Sequence, residues 1–485
     1  MREALAQVAI KATTKRTERR VYMAVAALLA VFGILRVLAA FGDFYVDEIW
    51  SFYFARQMNS VLDAFALNHD NNHILNTLYL YIVGGKPFFL AEKPAFIPHR
   101  LLSIITGIVS VWLIWKIAAK RGRAEAFTAI LLAGLSYPLI LYSSEARGYA
   151  PLIMFALASF LLAEKYHSGN RSAVVPFFWF TAVLAFLSHS SFIFIYLGLF
   201  IWSAFEVRGR GVAEGAKKFA FLHLVPVVFL AVYYFLFLKS MVYGGGEIVE
   251  PLKVVISAAS MAVGLPSEGA CGYISLAAVL VLAAGGFACL RRTAPLQPVF
   301  FLSAIFIVPA LIASTLKPEF IYFRYFLACF PFFYLLAAYS LAGIYRRPGW
   351  GKPVFFAAII VFSVFNLKAT LDLIRYGRGS YSEAVAYMVN ESPGPEVIVG
   401  SDHDFRNELV LGFYSGFFKE KRIIYLDKES RQDTTPDWLL AHSVEAAKRP
   451  DQYLFEGGHR FTLKQSYGFA GVSGWSWFVY KKDVE

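Results

Sequence analysis

The chain of 485 residues is 58% hydrophobic, 17% aromatic and only 16% charged, which excludes an ordinary soluble globular protein and points to a polytopic membrane protein. Its 46 Lys and Arg exceed its 34 Asp and Glu, yet the basic residues gather in short runs between apolar segments. That is the pattern of the positive-inside rule, not of a nucleic-acid surface. The three cysteines, Cys271, Cys289 and Cys329, have no metal-ligand spacing and suggest no disulfide framework.

A basic N-terminus (1–20) with Lys11, Lys15, Arg16, Arg19 and Arg20 precedes an apolar run without a small-residue cleavage pattern, so a retained anchor is expected. A helix needs about 20 mainly apolar residues to cross the hydrocarbon core. The candidate spans are 21–41, 95–118, 125–142, 148–164, 174–188, 190–206, 218–238, 272–290, 297–315, 322–344 and 352–371. With the N-terminus in the cytoplasm, Lys120 to Arg123, Glu164 to Arg171, Arg208 to Lys218, Arg291-Arg292 and Arg346-Arg347 all fall inside, as the rule requires. Eleven crossings place the C-terminus outside, in the periplasm of a Gram-negative host. The scheme depends on Ser188-His189-Ser190-Ser191 serving as a short outer turn; one continuous helix there would invert every later segment.

The first outer segment, 42–94, is too long for a simple turn. Its amphipathic stretch Ile74 to Tyr81, followed by Gly84-Gly85-Lys86-Pro87, predicts helices lying along the membrane surface. The second outer segment, 239–271, carries Tyr243-Gly244-Gly245-Gly246, a weak phosphate-cradle signal better explained by a mobile loop, then a helix at 252–264. From residue 373 the composition becomes that of a soluble α/β domain (373–485). Strand-like runs lie at Val397 to Gly400, Ile423 to Leu426 and Trp477 to Tyr480, and helical stretches at Tyr381 to Met388 and Glu408 to Tyr414. Asp402, Asp404 and Asp427 near strand ends are read first as caps and turns.

Four constellations fall on the outer side in this topology. Asp47-Glu48 follows the first span, where acids must be paired, solvated or functional. His69-Asp70-Asn71-Asn72-His73 opens the amphipathic stretch. Ser144-Glu145-Ala146-Arg147-Gly148-Tyr149 follows the third span. Lys317-Pro318-Glu319 and Tyr322-Phe323-Arg324-Tyr325 join the ninth and tenth. Arg147, Lys317 and Arg324, with Arg100 in Pro98-His99-Arg100-Leu101, supply the cations that a phosphodiester leaving group needs. His69 and His73, four apart, would share one face of a helix and permit a divalent metal. Substrate hydrogen bonding is the preferred reading, because the H-E-x-x-H pattern is absent.

These motifs, with the His73-Ile74-Leu75-Asn76-Thr77-Leu78-Tyr79 segment, His99-Arg100-Leu101-Leu102-Ser103 and Phe323-Arg324-Tyr325-Phe326, resemble in order and sidedness the GT-C membrane glycosyltransferases. Within them the likeness is to the bacterial family 39 group, related to protein O-mannosyltransferases and lipid A aminoarabinose transferases. The resemblance implies a GT-C fold of about eleven transmembrane helices (21–372) with juxtamembrane helices in the first outer loop. It also implies an enzyme of the bacterial inner membrane that moves a sugar, with inversion, from a polyprenyl-phosphate donor to an extracytoplasmic lipid, glycan or protein. On the matching positions Asp47 becomes the general base and Glu48 orients acceptor or sugar. Arg324, Tyr325 and Lys317, then Arg147 and Arg100, hold the phosphate, while His69, Asn72, His73, Glu145 and Tyr149 face the substrates. A pKa raised by burial or by its neighbour would suit Asp47 to that task. Two departures stand out. Asn72-His73-Ile74 replaces the Glu-Lys-Pro stretch of the aminoarabinose transferases, so no metal or lysine role carries over. Glu145 and Arg147 occupy the loop where protein O-mannosyltransferases carry an aspartate, so protein mannosylation is not implied. The rival readings are a flippase or transporter of a lipid-linked intermediate, which more often keeps its ionisable groups near the bilayer midplane, and a lipid-diphosphate glycan ligase or polymerase.

Overall fold

A computed structural model describes residues 2–84, 88–90, 93–169, 172–208, 211–245, 248–316, 320–444, 449–455 and 458–483. Among these, eight helices are long and apolar enough to cross a membrane: Thr17–Ala39, Ile97–Ala119, Tyr149–Gly169, Val212–Ser240, Gly269–Thr293, Gln297–Thr315, Phe323–Tyr345 and the first part of Gly351–Glu391. Arg123–Leu135 and Tyr137–Ser143, bent by 58°, make a ninth if they count as one span. The bend sits at Ser136. Pro138 cannot donate a backbone hydrogen bond there, and Ser136 Oγ caps the new helix by accepting from the Leu139 N–H.

The chain is a multi-pass membrane protein, but not all eleven expected crossings have spanning length. The helices Val175–Ser188 and Phe192–Val207 contain 14 and 16 residues. At 1.5 Å per residue they reach about 21 and 24 Å, against a hydrocarbon core of about 30 Å. They are two helices broken at His189, not one continuous segment.

Phe323–Tyr345 forms the pole of the bundle. Every residue from Phe330 to Ala342 is buried, as an apolar helix is when protein surrounds it on all sides. Phe300 stacks within 5.1 Å of Phe332 and 4.7 Å of Phe160, filling the space around the pole with edge-on rings. Phe221, Val228 and Phe235 instead face outward, where lipid covers them.

The connection after the first span folds into the helix Val46–Gln57, a short turn at Val61–Phe65, the helix Ile74–Val83 and a hairpin of β1 (Phe88–Leu90) and β2 (Lys93–Ala95). The C-terminal domain is α/β. Its helices Tyr381–Glu391 and Asp404–Ser415 pack on six strands, β3 (Glu396–Ser401), β4 (Arg422–Leu426), β5 (Trp438–Ser443), β6 (Gln452–Leu454), β7 (Arg460–Tyr467) and β8 (Ser476–Lys482), in the order β4-β3-β5-β8-β7-β6. β3 runs parallel to β4 and β5, and the remaining pairs are antiparallel.

On the bundle side the first connection completes the core of this domain. Phe44, Phe52 and Phe96 of the first connection stack on one another and on Phe413, with Phe44 and Phe96 3.9 Å apart and Phe52 and Phe413 5.5 Å apart. Tyr414 also donates to the Phe44 carbonyl at 2.9 Å. The first connection and the C-terminal domain therefore fold as one packed unit at one end of the bundle.

Candidate functional site

Asp47 and Glu48 occupy the first turn of Val46–Gln57, where the helix dipole favours acids. Neighbours on a helix face different ways, and these two have different surroundings. Glu48 is fully buried and grips Arg100 at 2.8 and 2.6 Å, while accepting from the Ala146 N–H at 2.7 Å. Arg100, also fully buried, donates further to the carbonyls of Ala40, Gly42 and Asp43. Neither residue lines the cavity beside Asp47, so the sequence-derived substrate and phosphate roles for this pair do not match its location. The pair shapes the 40–48 loop and ties it to residue 146.

Asp47 lines a cavity of about 370 Å³. Its Oδ2 lies 3.0 Å from Arg147 Nη1, 3.5 Å from Arg324 Nη1 and 3.2 Å from the Tyr45 hydroxyl, and its Oδ1 lies 3.5 Å from Asn71 Nδ2. Arg147 donates also to Tyr45 Oη at 2.9 Å and to Asn71 Oδ1 at 3.0 Å. Burial is the largest influence on the Asp47 carboxyl and pushes its pKa up. Arg147, Arg324, Tyr45 and Asn71 together outweigh it and hold the group below the usual carboxylate range. The elevated pKa anticipated from sequence is thus reversed by two guanidinium groups that sequence assigned to the phosphate and not to Asp47.

Several donors around this carboxylate have no hydrogen-bond partner among the described residues: Arg147 Nε, Arg324 Nε, the Tyr149 hydroxyl and His73 Nε2. Arg324 lies over the rings of Tyr322 at 4.7 Å and Tyr325 at 5.8 Å, and Arg147 over Tyr149 at 4.9 Å. His73 Nδ1 accepts from the Gly148 N–H at 3.1 Å, which leaves the ring proton on Nε2. Its ring lies 4.9 Å from that of His189. Burial, then His189 and the two arginines, pushes His73 well below its usual pKa, and burial with the same arginines takes His189 down to about 3, so both rings are neutral. The approach is close enough to require glycine: a Cβ on Gly148 would lie 1.9 Å from the Ser188 carbonyl oxygen.

His69 and His73 do not share a helical face, because the helix begins only at Ile74. His69 stacks on Trp50 at 5.6 Å, contacts Asp70 at 3.0 Å and lines the cavity. Among the described residues no group of three or more His, Cys, Asp or Glu side chains is arranged to hold a metal ion. Asn72 is consumed in the fold. It donates to the carbonyls of Ala64 and Leu67 and accepts from Thr77, and its neighbour Asn71 reaches the site instead. The glycine loop is fixed where it is described, with the Gly244 N–H donating to Asp70 at 3.2 Å. Lys317 lies outside the described residues. Asp402, Asp404 and Asp427 serve turns and local pairs: Asp402 with His442, Asp404 with Arg431 and Tyr425, and Asp427 with the Ser430 N–H.

Glu145 is fully buried, paired with Arg378 at 3.1 Å and accepting from Ser473 at 2.9 Å, with the Tyr45 hydroxyl 3.4 Å away. It belongs to the joint between bundle and C-terminal domain, not to the cavity wall. Tyr45, Asn71, Arg378 and Ser473 were missed from sequence. Tyr45 lies two residues before Asp47 and Asn71 adjoins Asn72, while Arg378 stands between two glycines just after the last span. Replacing Tyr45 with phenylalanine removes one hydroxyl that serves Asp47 and Arg147 together. Turnover in a reconstituted assay is expected to fall roughly tenfold, about 1.4 kcal/mol, and the thermal midpoint to fall with the buried partners left unpaired. An unaltered rate would deny Tyr45 any positioning role.

No protein-family model matches the sequence, and no curated protein matches it. Its fold is that of ArnT from Cupriavidus metallidurans. The apo crystal structure aligns with a TM-score of 0.52 at 11% identity over 86% of this chain and 92% of that one. The form bound to undecaprenyl phosphate aligns with a TM-score of 0.51 at 11% identity over 94% and 97%. The fold is the one the resemblance leads to, but the eleven spans expected with it are not all found: eight helices, or nine with the bent pair, have spanning length among the described residues.

Proposed function

We propose that this protein is an inverting glycosyltransferase on the outer face of a bacterial inner membrane, moving a sugar from a polyprenyl-phosphate donor to an extracytoplasmic acceptor. The observation that carries the reading is a single ionised carboxylate, Asp47, at 3.0 and 3.5 Å from two guanidinium groups whose Nε donors are unpartnered among the described residues. The likeness in fold to ArnT bound to undecaprenyl phosphate supports the donor class.

In this reading the acceptor oxygen attacks the anomeric carbon while its proton passes to Asp47. The bond from that carbon to the phosphate oxygen breaks, its electron pair stays with the phosphate, and Arg324 and Arg147 offset the charge that builds there. Arg324 Nε, Arg147 Nε, the Tyr149 hydroxyl and His73 Nε2 are the donors a phosphate would satisfy, with Tyr325 steadying Arg324 and Lys317 on the same connection as a further cation. His69 and Asn71 are placed for acceptor or sugar hydroxyls. Glu48, Arg100, Glu145 and Asn72 hold the loops that carry these groups.

The donor phosphate competes with Asp47 for the same two cations, so its arrival releases the carboxylate toward a higher pKa. The sign follows directly. A base with a depressed pKa stays ionised as pH falls, so the acid limb of kcat/KM, which reports the free enzyme, is expected below about pH 4, the ordinary aspartate value. The acid limb of kcat, which reports the donor complex, is expected higher. Rate profiles in nanodiscs check the order, and a limb that stays fixed between the two would deny the competition.

The function is tested by giving the reconstituted protein a polyprenyl-monophosphate sugar or a polyprenyl-diphosphate glycan, together with envelope fractions from a deletion strain. Transfer from the monophosphate alone, adding one sugar mass to a single fraction, is the expected result. Transfer only from the diphosphate would make the protein a ligase or polymerase, and transfer from neither would end the reading.

A further inference from the structure

The cavity beside Asp47 has two unlike walls. One comes from the bundle and its first connection and carries Asp47, Arg324, Trp50 and His69. The other comes wholly from the C-terminal domain, where Phe405, Arg406, Ser473 and Trp475 reach the same space. Phe405 is a large aromatic side chain left 60% exposed, although the domain has ample core around Phe413 to bury such a ring. Arg406 lies over the Trp475 ring at 5.7 Å and has no carboxylate within salt-bridge distance among the described residues. Trp475 is only 3% exposed and lines the cavity with an indole N–H that has no partner among the described residues. Among the described residues lining the cavity, Asp47 is the sole acid, and Arg147 and Arg324 already engage it.

We propose that Phe405, Arg406 and Trp475 form an acceptor subsite for an anionic glycan, a saccharide bearing phosphate or carboxylate. This rests on the transferase reading and adds the acceptor's chemical class to it. The donor phosphate takes the cations on the bundle wall, which leaves the opposite wall to the acceptor whose hydroxyl must reach Asp47. An exposed aromatic face suits the C–H face of a pyranose ring. A guanidinium braced on an indole suits a phosphate or carboxylate in bidentate contact, and the unpartnered indole N–H supplies one more donor to a buried oxygen. Aromatic rings and polar side chains share the lining, the mixture a ligand site combines.

The test places a photoactivatable benzophenone amino acid at position 405 of the full-length protein in cells, in otherwise wild-type, Arg406→Gln, Arg406→Lys and Asp47→Asn chains. Each is checked for an unchanged thermal midpoint. The expected product is a crosslinked glycan that contains phosphate or carboxylate by mass spectrometry. Its yield should fall at least fivefold in Arg406→Gln, fall less in Arg406→Lys, which keeps the charge but not the bidentate fork, and persist in Asp47→Asn. An adduct without an anionic group, a polypeptide adduct, no adduct, or equal yield in Arg406→Gln would overturn the subsite. Donor turnover measured on the same wild-type preparation separates the two readings: an anionic glycan adduct without sugar transfer would leave the subsite standing and remove the transferase.

Discussion

Asp47→Asn is expected to lower turnover by about 10²- to 10⁴-fold, the range lost with a general base, while the donor binds at least as tightly as to wild type. The substitution keeps the shape and one acceptor oxygen for the Tyr45 or Asn71 donor but removes the charge that occupies Arg147 and Arg324. Both guanidinium groups then become fully available to a phosphate. Loss of rate with gain of affinity is a signature that general misfolding does not produce. It also separates catalysis from transport. A flippase needs the cations to recognise the lipid phosphate but has no proton to remove, so the asparagine variant would move lipid at or above the wild-type rate. Single-turnover transfer and equilibrium binding of a polyprenyl-phosphate sugar, measured on the same nanodisc preparation, decide between them. Parallel loss of binding and rate would show that Asp47 holds the loop together and is not the base.

What the sequence made legible was whatever depends on local pattern. Spans, amphipathic turns and strand-like runs follow from hydropathy and period. The runs at Val397, Ile423 and Trp477 lie in β3, β4 and β8. The acidic pair after the first span and the two arginines that meet it were also marked, because charge beside a membrane boundary is costly. Which acid of the pair faces the cavity was not legible, since that depends on Arg100, 52 residues further along the chain. Asn71 and Asn72 show the same limit. Both are hydrogen-bonding side chains in one turn, and only the folded path of that turn sends one to Ala64 and the other to Asp47. The C-terminal wall was invisible for a related reason. Its contacts with the first connection cross more than 300 residues, and no periodicity encodes them.

The second large effect is expected away from the cavity, at Arg378. Its side chain is fully buried and donates to Glu145 at 3.1 Å, to the Ala39 carbonyl at 3.3 Å, to the Leu141 carbonyl at 3.1 Å and to Ser144 Oγ at 2.8 Å. One guanidinium therefore joins the ends of two membrane helices and the 144–148 loop to the start of the C-terminal domain. The seat is tight: a Cβ on Gly474 would lie 1.6 Å from the Arg378 carbonyl oxygen. Arg378→Met leaves Glu145 as a buried charge without its cation, a change that costs about 3–5 kcal/mol, a large part of the roughly 5–15 kcal/mol that holds a domain together. The expected result is a lowered thermal midpoint, early proteolysis of the C-terminal domain and loss of turnover, because Ser473 and Trp475 leave the cavity with it. Neutralising the partner isolates the cause. Glu145→Gln added to Arg378→Met removes the lone charge and should recover most of the midpoint, but not all, since the Ala39 and Leu141 carbonyls still lack their donor. If the double variant melts no higher than Arg378→Met, the carbonyl contacts and not the ion pair hold the joint. If Arg378→Met melts with the wild type, the C-terminal domain is held by its aromatic packing on Phe44, Phe52 and Phe96 alone.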